Sequence, residues 1–157
     1  MTTIINRSFI SILGVLLLTL SMSVASAENT SGADAVKAAS VDFFNSVSQR
    51  NLAAVGSYLD TEGFTEFVAE SDKLLQLDAN AFAGLFKSGA QIDLRLLDVQ
   101  VKTTGDAAIV TGTRVGAITR PGAAAVEGKS LITMVWFKKD NAWLLKHIHL
   151  SPVTSNK

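Results

Sequence analysis

The sequence predicts an α+β domain in which about three helices pack in a curved, mostly antiparallel sheet. Two observations predict it. In the first half, apolar residues recur at helical spacing behind residues that cap helices. In the second half they alternate along extended stretches divided by turn residues. Helices first and strands after is the layout of a sheet with its helices segregated to one side.

The first 27 residues have the three parts of a cleavable export signal. Arg7 and the amino terminus supply positive charge, and Phe9–Leu20 is an apolar run. That run is short of the roughly 20 residues a membrane-spanning helix needs. Ala25-Ser26-Ala27 offers small residues to the peptidase, and Glu28-Asn29-Thr30-Ser31-Gly32 turns abruptly polar. The expectation is cleavage after Ala27 and a periplasmic or secreted product beginning at Glu28. Residues 28–33 then form a flexible start, 34–152 one domain, and 153–157 a tail. A chain of that size buries a core without staples, consistent with the absence of cysteine.

Charge narrows the partners. Fourteen basic and fourteen acidic side chains cancel, and loss of Arg7 with the leader tips the balance to about −1. No basic run is present, so neither nucleic acid nor an anionic membrane is an expected partner.

In chain order, Asp34 can cap a helix to about Arg50 that buries Val36, Ser40, Phe43 and Val47, with Ala39 and Phe44 widening the stripe. Asn51 caps a second helix, Leu52 to Leu59. Gly63 interrupts, and Phe64–Ala69 reads as a short strand before a turn at Glu70–Lys73. Asp78 caps a third helix, Ala79 to Lys87, which Ser88-Gly89 stops. Four long strands follow: 91–103, 107–118, about 125–138 and 142–151. Their turns fall at Thr104-Gly105-Asp106, Arg120-Pro121-Gly122 and Lys139-Asp140-Asn141. Alternation puts Trp143, Leu145, His147, His149 and Ser151 on one face of the last strand. Both faces of the last two strands are mostly apolar, whereas an antiparallel sheet usually wets one face. The second face is therefore expected to meet another copy of the chain.

Certain residues carry a resemblance. Phe43-Phe44 is followed by Asn51–Leu59 and by the Asp78-led helix. The ending, Leu131–Ser151, joins a tight turn, Trp143 and a histidine-bearing strand. Over residues 34 to 152 this resembles the nuclear-transport-factor-2-like (SnoaL-like) domains, cones of helices held in a curved sheet. The resemblance implies a cone with a pocket. It implies no single activity, because that family includes isomerases, hydrolases, cyclases, a kinase association domain and non-catalytic binders.

In the resembling fold the last-strand histidine lines the mouth of the cone, so His149 is expected to face the interior with His147 nearer the mouth. A neutral imidazole there can donate to a ligand or act as a base; otherwise it is a rim residue satisfied by a neighbour. Glu66 lies where the resembling isomerases place a catalytic acid, and Phe64 and Phe67 would desolvate it and raise its basicity. Alternation allows it to point outward instead. Arg95 or Arg114 on a cone-facing strand can clamp a carboxylate, or pair with an acid such as Asp93. Tyr58 and Trp143 complete the expected pocket wall. No metal is expected, since two histidines without cysteine make a poor ligand set, and no cofactor motif is present. A Tyr with two acids, or an Asp-Arg-Asp set, is incomplete here. The sequence thus points to an exported domain that binds a small apolar molecule, with no reaction assigned. The alternatives are an isomerase, hydrolase or cyclase using His149 or Glu66, and a structural dimer subunit.

Overall fold

The computed structural model describes residues 31–68 and 73–153. The expected leader and cleavage site, and residues 28–30, lie outside that range. Helix α1 (Gly32–Ser48) starts two residues before the expected cap. Ser31 caps it, its hydroxyl oxygen accepting from the Asp34 amide at 3.1 Å while its O–H donates to the Asp34 carboxylate at 2.7 Å. Asp34 is thus the third residue of a reciprocal cap and not the cap itself. The buried face of α1 carries Val36, Ser40, Phe43, Phe44 and Val47, as the spacing predicts. Asn51 caps α2 (Leu52–Gly56), which is shorter than expected, and Asp78 caps α3 (Ala79–Lys87).

Among the described residues, six strands form one sheet: β1 (Phe64–Phe67), β2 (Leu74–Leu77), β3 (Gln91–Thr104), β4 (Ala107–Thr119), β5 (Gly128–Lys139) and β6 (Ala142–Pro152). Their order is β2-β1-β6-β5-β4-β3. All neighbours are antiparallel except β1 and β6, which run parallel. Strand β2 follows the expected turn at Glu70–Lys73, most of which lies outside the described residues, and is a strand that the sequence analysis does not predict. Asp140 and Asn141 both adopt positive φ, 49° and 68°, the geometry of a two-residue turn whose twist suits a hairpin. Helix α1 is clamped to β3 through Ser48, whose hydroxyl donates to the Leu94 carbonyl at 3.0 Å and accepts from its amide at 2.9 Å.

The core lies between the helices and the concave face. Phe43 is its centre, in edge-to-face contact with Phe44, Phe64, Phe82 and Tyr58 at centroid distances of 5.4 to 6.2 Å. Beneath them Trp136, Met134, Val110 and Leu145 are fully buried.

A bulge in β6 decides which side chains face this core. Val135 pairs with His147 but Trp136 pairs with Leu145, leaving Lys146 without an opposite residue. The Leu145 amide is held by the Tyr58 carbonyl at 2.9 Å, and Lys146 binds the Asp60 carboxylate. The extra residue breaks the alternation. Leu145 points into the core and Trp143 packs against it beside Gly32. His147 and His149 point to the opposite, convex face. The expectation that His149 faces the cone interior is therefore corrected.

Candidate functional site

A cavity of about 350 Å³ opens between the helices and one end of the concave sheet. Sixteen of the described residues line it, and fourteen of these are apolar. Helix α1 contributes Phe43, Phe44 and Val47, α3 contributes Ala81, Phe82 and Leu85, and the sheet adds Phe64, Leu75, Leu77, Ile148 and Leu150 among others. The two exceptions are Glu66 and Arg114.

Register explains how these two meet. Glu66 pairs with Leu75 on one side and with Ile148 on the other; Ile148 in turn pairs with Met134. Glu66 therefore shares the concave face with core residues, resolving the alternation inward. Arg114 lies opposite Leu96 and Ser130, both buried, and so points the same way three strands further along. Curvature of the sheet brings both onto one cavity. Burial raises the Glu66 carboxyl above its ordinary range, and the positive charge of Arg114 pulls it part of the way back. The Arg114 Nε is buried and has no hydrogen-bond partner among the described residues. Neither Glu66 nor Arg114 takes part in a described salt bridge or side-chain hydrogen bond.

The other predicted site residues lie elsewhere. Arg95 is exposed and binds Glu127 at 2.7 Å, with Asp93 at 3.6 Å; it does not reach the cavity. Tyr58 donates to Asp42 at 2.7 Å. Burial first, and then Asp42, push its hydroxyl up to about 12, so it serves as a strut between α1 and the segment after α2. Trp143 is half-buried against the core but does not line the cavity. His147 accepts or donates a 2.8 Å hydrogen bond with the Thr65 hydroxyl, and the Phe67 ring contacts both imidazoles, that of His147 edge-to-face and that of His149 tilted. With both imidazoles on the convex face, a base role for His149 inside the cavity is excluded by geometry. The lining residues that the sequence reading missed include Ile148 and Leu150, which strict alternation puts on the face opposite the expected pocket, and Leu75 and Leu77 of β2. The Leu74-Leu75-Gln76-Leu77 run carried the signal of the β2 pair, but it is too short to tell strand from loop.

The described residues thus define a cone-shaped α+β domain holding an apolar cavity with one carboxyl and one guanidinium. The sequence profile of the SnoaL-like domain family matches residues 36–155, and the chain belongs to that family. No curated protein matches it in sequence. Among solved structures, the CaMKII hub of S. rosetta is similar with a TM-score of 0.64 and 24% identity, over 78% of this chain and 97% of that one. A member of the NTF2-like family from Streptomyces avermitilis gives 0.64 and 21%, covering 78% and 96%. An NTF2-like protein from Cytophaga hutchinsonii gives 0.63 and 10%, covering 76% and 97%. At these identities the likeness is one of fold.

Proposed function

We propose that this chain is an exported binding domain that takes a small apolar molecule into its cone and pairs with a second copy through the convex sheet face. The observation that carries the first part is the cavity itself. Its volume of about 350 Å³ falls within the range of small-molecule sites, roughly 300–1,000 Å³, and an apolar wall with a few convergent polar groups is their usual make-up. A cone serving only as a scaffold would gain stability by filling that space.

The test uses 1-octanol and octanoate as probes. A ligand at a hundred times its Kd should stabilise the mature chain by about 2.7 kcal/mol. Ala81 lines the cavity from α3, and Ala81→Trp should fill it, removing that ligand effect while the free protein still melts cooperatively. If neither probe raises the melting point of the wild type, the binding reading fails. Glu66 also suits acid–base chemistry. Conversion of a bound compound, lost in Glu66→Gln while binding survives, would make the chain an enzyme.

Export rests on Arg7, the Phe9–Leu20 run and the Ala25-Ser26-Ala27 site. The intact mass of protein recovered from the producing cell should correspond to a chain that starts at Glu28. A mass retaining residues 1–27 would overturn it.

Pairing draws support from the convex face. Three registered rows cross it: Leu97-Thr113-Leu131-Ser151, Gln100-Thr111-Thr133-His149-Phe67-Leu74, and Lys102-Ile109-Val135-His147-Thr65-Gln76. These rows contain no carboxylate, and Phe67, Leu74, Leu97, Ile109 and Leu131 are each 40 to 56% exposed. Five exposed large apolar side chains on a face whose rows hold no carboxylate support an interaction surface. The shared fold of the hub domain, by name an assembling one, agrees with that reading.

A further inference from the structure

We propose that the cavity is a receptor for an apolar monocarboxylate: the carboxylate seats on Arg114, and Glu66 enters the complex protonated, so that binding takes up a proton from solution. This rests on the reading that the cavity binds a small molecule, and it names the class of molecule and the condition for its release.

A guanidinium is permanently charged and carries five N–H donors, yet the Nε of Arg114 is buried without an acceptor among the described residues. A buried donor left unpaired is costly, and the cheapest remedy is an acceptor that arrives with the ligand. Glu66 does not fill that role, since no ion pair within 4.0 Å joins it to Arg114 among the described residues. Both side chains line the same cavity, which can receive a head group. A planar carboxylate matches the guanidinium fork. The remaining wall is apolar, and at about 30 Å³ per non-hydrogen atom the volume holds a ligand on the order of ten such atoms.

Charge then fixes the proton. Facing Glu66, α1 presents Phe43, Phe44 and Val47, α3 presents Phe82 and Leu85, and β2 presents Leu75 and Leu77. On β6, Ile148 and Leu150 face the cavity, while His147 and His149 occupy the other face. Arg114, from β4, is the one charged side chain besides Glu66 among the described lining residues. With Glu66 ionised, the cavity is neutral overall, and an entering anion leaves an uncompensated buried negative charge. With Glu66 protonated, the cavity carries one positive charge and one anion neutralises it. The protonated carboxyl becomes a donor that can hydrogen-bond the second carboxylate oxygen. A head group with two charges has no second cation to meet.

The sign follows from linkage. Where the empty cavity holds Glu66 ionised, each anion bound takes up one proton, and affinity falls with rising pH by at most tenfold per unit. Where Glu66 is already protonated, no proton moves and affinity is flat. A ligand taken up in mildly acidic surroundings is thus released in alkaline ones.

Titration calorimetry of the mature chain tests this with octanoate, 1-octanol, octylamine and octyl phosphate. The pH series runs from about 5.5 to about 8, where a carboxylate ligand stays ionised. Two buffers of different ionisation heat count the protons. Octanoate should bind most tightly, weaken as pH rises, and take up as much as one proton per ligand. Glu66→Gln, which keeps a donor, should bind octanoate with no proton uptake and no pH dependence. Arg114→Gln should lose octanoate binding by roughly 10²-fold while still binding 1-octanol; the retained octanol site shows that the variant has folded. Equal binding of octanoate and octanol to the wild type leaves the pocket reading standing and overturns this proposal. So does proton uptake that persists in Glu66→Gln, because the proton then resides on the ligand. Absence of binding by every probe overturns the pocket reading itself.

Discussion

Replacing Gly116 with alanine is expected to lower the melting temperature of the chain from residue 28 onward by roughly 10 °C or more. Gly116 has φ +103°, a conformation that side chains disfavour. A Cβ built there stands 1.9 Å from the Asp93 carbonyl oxygen, in the backbone of the neighbouring strand. Neither obstacle can yield cheaply, because Gly116 lies between Leu94 of β3 and Gly128 of β5 and a shift would break both ladders. Backbone strain of about 1–3 kcal/mol adds to the steric displacement, for a total of about 3 kcal/mol or more, in the range of severe single substitutions. Gly84 is the internal control. It lies exposed in α3, and a Cβ there meets nothing within 4 Å. Gly84→Ala should therefore stabilise by about 0.5–1 kcal/mol, through helix propensity alone. Thermal melts followed by circular dichroism check both signs. A Gly116→Ala protein melting within about 2 °C of wild type would show that the β3–β4 register is not as described.

The second large effect concerns assembly. The wild-type chain from residue 28 onward is expected to be a dimer at micromolar concentration, and Leu131→Asp is expected to raise its dissociation constant by roughly 10²-fold or more. Leu131 is 56% exposed on β5, so an aspartate is well solvated in the monomer and the fold survives. In a two-fold pair the same patch is used by both copies, and one substitution buries two unpaired carboxylates. Leu52→Asp, on an exposed position of α2, should leave assembly unchanged. Sedimentation equilibrium separates the three proteins. A wild-type chain sedimenting as a monomer at micromolar concentration would remove the basis for pairing through this face.

How much of this was legible in the sequence depends on the range of the forces involved. The helices were, because caps and apolar spacing act within one turn: Asn51 and Asp78 bond to amides three residues on, and Val36, Ser40, Phe43 and Val47 form one buried stripe. The long strands and the Asp140-Asn141 turn were legible for the same local reason. The family resemblance, carried chiefly by the Leu131–Ser151 ending, agrees with the match over residues 36–155. Strand β2 was not legible, because four residues carry too few alternations to declare themselves and depend on the partner β1.

The site itself was divided between the two. Glu66 and Arg114 were candidates from sequence alone, by residue type and by strand position, but the sequence left the direction of each side chain open. Tertiary structure decided it. The parallel docking of β1 on β6 turned Glu66 onto the concave face, and the ladder opposite Ser130 turned Arg114 toward the same space. For His147 and His149 it decided the opposite. Strict alternation joined them to Trp143 and Leu145, but the Tyr58 carbonyl takes the Leu145 amide and Asp60 takes Lys146, and the resulting bulge moves both imidazoles to the convex face. By itself, the sequence determined the helices, the long strands and which chemistry the chain could offer. Only the tertiary contacts decided which side of the sheet that chemistry faces, because in a strand one inserted residue reverses the facing of every residue beyond it.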